Sequence, residues 1–204
     1  MKSTILFLLA TLFIVSCGSN VTTDVKEKEK SKEELTEHFT KDLKSFLSYM
    51  NEEDWDSAFD YIYPKLFNIV SKEQMIGAVE QAFQSGMEMK VSFIEIDDVS
   101  AKTTHEKEDF CKIQYKSTIT MTISQDMLEI MGADQFIQSL EAAYGIGAVN
   151  YNEDKGMFVI DALRIIVAIA DKGTMKWKYI EYNPGQEQIL TTLLPSEVIK
   201  EFDL

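Results

Sequence analysis

Apolar and polar positions change period twice along this chain, and the two changes divide it into helical and extended stretches. From Ser31 onward the apolar residues Leu35, Phe39, Leu43, Phe46, Leu47 and Met50 recur at helical spacing. Ser31-Lys32-Glu33-Glu34 before them has the form of a capping box, so a first helix is predicted to open there. Asp54 caps a second helix that turns Trp55, Ala58, Phe59 and Ile62 inward. Tyr63-Pro64 stops it, because the residue before proline is pushed out of the helical region. Ser71-Lys72-Glu73-Gln74 opens a third helix with Met75, Ile76, Val79 and Phe83 buried and Gly86 at its C-terminal end.

At Met87 the period becomes two. Met89, Val91 and Phe93 face one way, then Ile94 and Ile96 the other, a phase slip that predicts a bulge near Phe93. Asp97-Asp98 and the polar stretch to Asp109 predict a turn. From Cys111 to Ile123 apolar residues alternate strictly with Lys, Gln and Thr, which predicts a strand with one wet face. Such a strand is about twice the usual length and is expected to curve.

Helical spacing returns from Ser124 to Tyr144, divided at Gly132. A short strand follows around Val149 and Tyr151. Met157 to Ala170 is apolar on both faces and is expected to be a central strand. Asp171-Lys172-Gly173 turns it into a strand from Met175 to Glu181. Asn183-Pro184-Gly185 ends that strand, and two short helices, Gln186–Leu194 and Pro195–Phe202, close the chain. The fold class is therefore α+β: N-terminal helices, long curved strands, a helical insertion and short C-terminal helices.

The N-terminus carries different information. Lys2 precedes an apolar run from Ile5 to Val15, interrupted only by Thr11. Eleven helical residues rise only about 16 Å, roughly half a hydrocarbon core, so the run is too short to cross a membrane. A basic start, an apolar middle and a small residue before a break are the parts of a secretory signal. Ile14-Val15-Ser16-Cys17 resembles a bacterial lipobox. The resemblance implies cleavage before Cys17 and acyl chains on that residue, a permanent membrane anchor when two or three are attached. Gly18 lacks the acidic character that resembles an inner-membrane retention signal, which favours the outer membrane of a bacterial envelope. The expected organisation is a signal over residues 1–16, a lipidated Cys17 with a charged tether to residue 30, and one domain over 31–204. Fully extended, such a tether reaches about 45 Å.

The net charge is −14, and removing residues 1–16 takes one basic residue and no acidic one. Nucleic acid is excluded as a partner on that balance, since its phosphates would be repelled. Of the two cysteines, a lipidated Cys17 leaves Cys111 alone in an apolar strand, where it reads as a buried structural thiol. The two histidines form no metal-ligand pattern, and no cofactor motif is present. His38 flanks the first helix's apolar stripe among charged neighbours. The ten methionines fall mostly on core-facing positions.

Helices first, then long strands, then the ending Asp171-Lys172-Gly173-Thr174-Met175-Lys176-Trp177-Lys178-Tyr179-Ile180, resemble the nuclear transport factor 2-like fold over about residues 32–182. The polar break before Trp55-Asp56-Ser57-Ala58-Phe59 contributes to the likeness, and the insertion at 124–144 departs from the family's minimal pattern. The resemblance implies a cone-like, mostly antiparallel sheet with helices packed against it and a pocket between them. Its members include isomerases, cyclases, dehydratases and non-enzymatic modules, so fold leaves function open.

Asp161 and Arg164 stand out within the apolar strand, because a charge there must pair, neutralise or face a cavity. Three residues apart, they fall on opposite strand faces. If it faced the cone, Asp161 would act as a general base or an orienting group, with Tyr115 or Tyr151 supplying a hydroxyl donor; otherwise it is a strand residue facing solvent, or part of a bulge or a helix terminus. Trp177 shares a face with Tyr179 and either lines a pocket or packs on a helix. Asp97-Asp98 reads as turn chemistry.

The expected function is that of a lipid-anchored envelope protein whose domain binds a small apolar molecule or a protein segment without catalysis. An Asp161-dependent lyase or isomerase and a structural homodimer are the alternatives. Replacing Cys17 with Ala is expected to abolish labelling by radioactive palmitate and to release the protein from the membrane fraction; unchanged labelling would refute the anchor.

Overall fold

The computed structural model describes residues 20–183, 185 and 187–204, with the backbone alone for residues 20–30 and Met131. The expected signal segment and Cys17 lie outside the described residues.

Helix α1 spans Asn20–Asn51. It begins well before the predicted start at Ser31, so the segment expected as a charged tether is helical from Asn20. Lys and Glu lose little rotamer freedom in a helix, and neither Gly nor Pro occurs between residues 20 and 51 to stop it. The capping box predicted at Ser31 is therefore interior to the helix. Leu35, Phe39, Leu43 and Leu47 form its buried stripe.

Helix α2, Trp55–Phe59, is capped by Asp54, whose carboxylate accepts from the Ser57 N–H. It ends before Ile62, which instead forms a parallel bridge with Tyr179. The Tyr179 N–H donates to Tyr61 O at 2.7 Å, and the Tyr63 N–H to Tyr179 O at 2.9 Å. A 3₁₀ turn follows at Pro64–Asn68. Helix α3, Lys72–Gln84, has the predicted capping box, with Ser71 Oγ accepting from the Gln74 N–H and Gln74 Oε1 from the Ser71 N–H. None of its residues is fully buried, so the four apolar positions predicted inward are only half covered. Gly86 follows at φ +92°, and a Cβ there would stand 2.9 Å from Ser124 Cβ, which confines the position to glycine.

The strands are β1 (Met87–Val99), β2 (Thr103–His105), β3 (Glu108–Ile123), β4 (Val149–Asn152), β5 (Met157–Asp171) and β6 (Lys178–Tyr182). They form one antiparallel sheet in the order β1-β3-β5-β4, with β2 on β3 and β6 on β5. The sheet does not close. The predicted bulge is present as a register shift between Phe93 and Glu95, and a second shift lies between Ile96 and Asp98. Asp97-Asp98 is strand rather than turn. Both carboxylates point to lysines, Asp97 to Lys116 and Asp98 to Lys32, which lets acidic residues sit on the strand's solvent side. The open edge of β1 is partly blocked: the Asn51 amide donates to Val91 O at 2.8 Å and accepts from the Val91 N–H at 2.9 Å. An occupied edge offers less backbone to a foreign strand.

Helices α4 (Gln125–Met131) and α5 (Ala133–Tyr144) form the predicted insertion, and α6 (Glu187–Leu193) and α7 (Ser196–Phe202) end the chain. On the inner face of the sheet, α1 covers Ile113, Tyr115, Ile166 and Ala168. Among the described residues the outer face is covered at only one end, where Phe110, Val167, Ile169 and Ile180 pack against Leu190, Leu194, Val198 and Phe202 of the C-terminal helices. Each such fully buried side chain contributes about 1.5–3 kcal/mol. This second covering layer explains why β5 reads as apolar on both faces.

Asp109, 2% exposed, ties the two hairpins together. Its Oδ1 accepts from Thr104 Oγ1 at 2.6 Å, and its Oδ2 from the Gly173 N–H at 3.0 Å and Lys102 Nζ at 3.3 Å. Burial pushes this carboxyl upward, but those donors more than offset burial and hold it below the ordinary carboxylate range. A lowered folded pKa gives stability that is present above the unfolded value, about 3.9, and lost as pH falls through the folded one. Asp109→Asn is expected to destabilise the fold by about 1–3 kcal/mol at neutral pH. In urea titrations the gap from wild type should shrink below about pH 4; a gap constant down to the lowest pH would refute the assignment.

Candidate functional site

Between α1, the inner face of the sheet and the segment from Tyr61 to Met75 lies a cavity of about 300 Å³. Leu43 and Phe46 of α1 form one wall, and Tyr115 of β3 with Ile166 of β5 form the floor. Ile62, Leu66, Val70 and Met75 close it from the side of the 3₁₀ turn and α3. Tyr179, Ile180 and Glu181 of β6 complete it, with Asn183 and Ile189 beyond. The bridge between Ile62 and Tyr179 holds the side wall to β6 and so fixes the cavity's width.

Aromatic rings dominate one end. Tyr61 stacks on Tyr179 with ring centres 6.4 Å apart, and Phe46 packs on Tyr61 at 6.1 Å. The Tyr179 hydroxyl donates to Asp42 Oδ2 at 2.6 Å, and His38 Nε2 lies 3.4 Å from the same oxygen. Burial and the neighbouring Asp42 carboxylate raise the Tyr179 phenol far above its ordinary value, so it stays protonated.

The other end is charged. Arg164 of β5 donates from Nε to Glu181 Oε1 at 2.8 Å and from Nη2 to Glu181 Oε2. Its guanidinium also lies 5.6 Å from the ring centre of Tyr115, within cation–π range. Burial pushes the Tyr115 phenol up to about 12, against the opposing effect of Arg164. Tyr115 is therefore a neutral donor at physiological pH. Both Glu181 oxygens are occupied by arginine, so the one carboxylate lining the cavity is tied rather than poised as a base.

Of the residues singled out in the sequence, the structure brings Tyr115 to this cavity and places three elsewhere. Asp161 is exposed on the outer face of the sheet, where its Oδ1 accepts from Thr118 Oγ1 at 3.0 Å. Strand alternation turns it away from the cavity, and it has no access to a ligand there. Tyr151 stacks on Phe158 with centres 4.4 Å apart, across the β4–β5 pair and away from the cavity. Trp177 is buried against Phe39 of α1, edge to face at 5.2 Å, and its Nε1 has no hydrogen-bond partner among the described residues. It packs on a helix, while Tyr179 on the same face both packs and lines the cavity. Among the described residues no three His, Cys, Asp or Glu side chains gather as metal ligands.

Glu181, Tyr61 and Asn183 were not singled out as site residues. A signal for Glu181 existed: it continues the inward phase of Trp177 and Tyr179, as Arg164 does that of Phe158 and Ile160 on the neighbouring strand. Two opposite charges in inward phase on adjacent strands are a pair in waiting. Pairing Ile165 with Tyr182 and Ile166 with Glu181 places them diagonally.

No family model, curated protein or solved structure matches the chain.

Cys111 is fully buried, and burial raises its thiol to about 12. In a Cys17→Ser chain Cys111 is the sole thiol. It is expected to react with Ellman's reagent only in denaturant; rapid reaction in the folded protein would refute this placement.

Proposed function

We propose that this protein is a lipid-anchored envelope protein whose α+β domain binds a small, mainly apolar molecule without transforming it. The carrying observation is the cavity of about 300 Å³ between α1 and the inner sheet face, lined by aliphatic and aromatic side chains with few polar groups. That combination is the usual form of a small-molecule site. Catalysis is disfavoured by the chemistry of the lining: two tyrosines held protonated and a carboxylate clamped by arginine. The lyase or isomerase alternative loses its base with Asp161 on the outer face. The anchor rests on Ile14-Val15-Ser16-Cys17. The order of helices, long bent strands and closing hairpin supports the nuclear transport factor 2-like reading, as does a cavity between helix and sheet, which that resemblance implies.

A dimer through the open sheet face finds weaker support. Much of that face carries Lys112, Gln114, Lys116, Thr118 and Thr120, and its exposed apolar residues Ile94 and Leu163 stand on either side of Lys116. Single apolar residues among polar ones are ordinary protein surface.

N-Phenyl-1-naphthylamine is expected to gain fluorescence on binding the wild-type protein. Leu66→Trp, which fills the cavity from its half-buried side wall, is expected to weaken that binding by about tenfold or more, the effect of losing some 1.4 kcal/mol. No fluorescence gain, or equal binding by the variant, would overturn the reading.

A further inference from the structure

The charged end of the cavity backs onto a gap in the sheet. β4 leaves β5 at Ile160, and β6 joins β5 at Ile165, so neither strand pairs with Leu163. The Asp161 N–H donates to Ala148 O at 3.1 Å, toward the β4 side. Two residues on, strand alternation turns the N–H and C=O of Leu163 the same way. They face a hollow of about 320 Å³ whose lining includes Tyr144, Gly145, Arg164, Glu181 and Asn183. Glu181 and Asn183 line the apolar cavity as well. Glu181 thus stands in the wall shared by the apolar cavity and this hollow, and its partner Arg164 lines the hollow.

This pair has unused capacity. Arg164 spends Nε and Nη2 on Glu181, and Nη1 has no hydrogen bond to another described residue. Its side chain is 14% exposed, so a ligand atom at that nitrogen would be largely out of water. Together the guanidinium and carboxylate carry no net charge. A ligand carboxylate drawn to Arg164 would also meet Glu181, and an ammonium drawn to Glu181 would also meet Arg164. An uncharged oxygen meets neither penalty and accepts from Nη1 or from the Leu163 N–H.

We propose that the Arg164–Glu181 pair recognises the head group of the cavity's ligand and selects an uncharged hydroxyl or carbonyl over a carboxylate or an amine. The ligand class is a neutral amphiphile whose apolar body is small enough for a cavity of about 300 Å³. This inference rests on the cavity being the ligand site.

The test is competition against N-phenyl-1-naphthylamine on the intact protein at neutral pH, with 1-decanol, decanoate and decylamine. Decanol is expected to displace the probe at about tenfold lower concentration than either ion. Glu181→Gln leaves Arg164 its charge and is expected to narrow the gap between decanol and decanoate by about fivefold or more. Asn183→Asp adds a negative charge at the shared wall, on a half-buried residue just past the end of β6. That change is expected to favour decylamine by a similar factor. Asn183→Asp keeps the test decisive if Glu181→Gln does not fold. The proposal is overturned if decanoate or decylamine matches decanol on the wild type, or if the folded variants leave the ratios unchanged. A wild type that binds no probe removes the cavity reading as well, an outcome distinct from binding without head-group selectivity.

Discussion

The antiparallel pairing of β3 with β5 is the constraint on which everything else in the molecule depends. It runs without a break from Glu108 opposite Asp171 to Thr122 opposite Met157. Each side chain of the central sheet is thereby assigned to the inner or the outer face. A slip of one residue would exchange the faces, setting Lys112, Gln114 and Lys116 against α1 and sending Ile113 and Tyr115 to water. The strict alternation of β3 makes that slip prohibitive. β1 bulges at Phe93 while β3 keeps an unbroken register with β5, and such a bulge bends the strand that carries it. The cavity is the space left between α1, the Tyr61–Met75 segment and the strands β3, β5 and β6.

The same register explains how a charged pair persists inside an apolar fold. Desolvating two charges is costly, and their attraction offsets the cost only where geometry is good. Here β5 and β6 are locked from Ile165 opposite Tyr182 to Ile169 opposite Lys178, so the fork of Arg164 meets both oxygens of Glu181 without either strand shifting. Tyr115, directly opposite Arg164 on β3, gives the guanidinium an aromatic face. A pair held this way adds little to stability over apolar residues of similar shape. On the proposed reading, its position beside an apolar cavity serves recognition rather than folding.

Local signals made much of the architecture legible in the sequence. Ser71 and Gln74 announce the start of α3, Asp54 caps α2, the phase slip at Phe93 marks a real bulge, and Asp171-Lys172-Gly173 turns β5 toward β6. Each is decided by residues a few positions apart. What could not be read depends on partners distant in sequence. Asp97-Asp98 has turn chemistry by composition, yet Lys32 and Lys116 keep it in a strand. Asp161 stood out because its neighbours are apolar, but among the described residues those neighbours are covered by helices on the inner face and by the C-terminal helices at only one end of the outer one. Asp161 stands on the uncovered end of that outer face. Glu181 was legible in phase but not in partnership, since its pairing needs the β5–β6 register.

Helix α1 joins the two halves of the functional reading. Leu43 and Phe46 line the cavity, and the same helix runs back to Asn20 without a glycine or proline to break it. Between Asn20 and Leu35, the first buried residue among the described side chains of α1, an α-helix rises about 22 Å. A flexible tether would let the domain sample every orientation within its reach, whereas a helix continuous with the domain's own wall transmits orientation. Anchored at Cys17, such a helix would set the cavity's distance and attitude toward the lipid surface through the same element that shapes its wall. A neutral amphiphile moving between that surface and the cavity would meet the same geometry at each exchange, which makes an orienting helix, rather than a coil, the economical link between anchor and site.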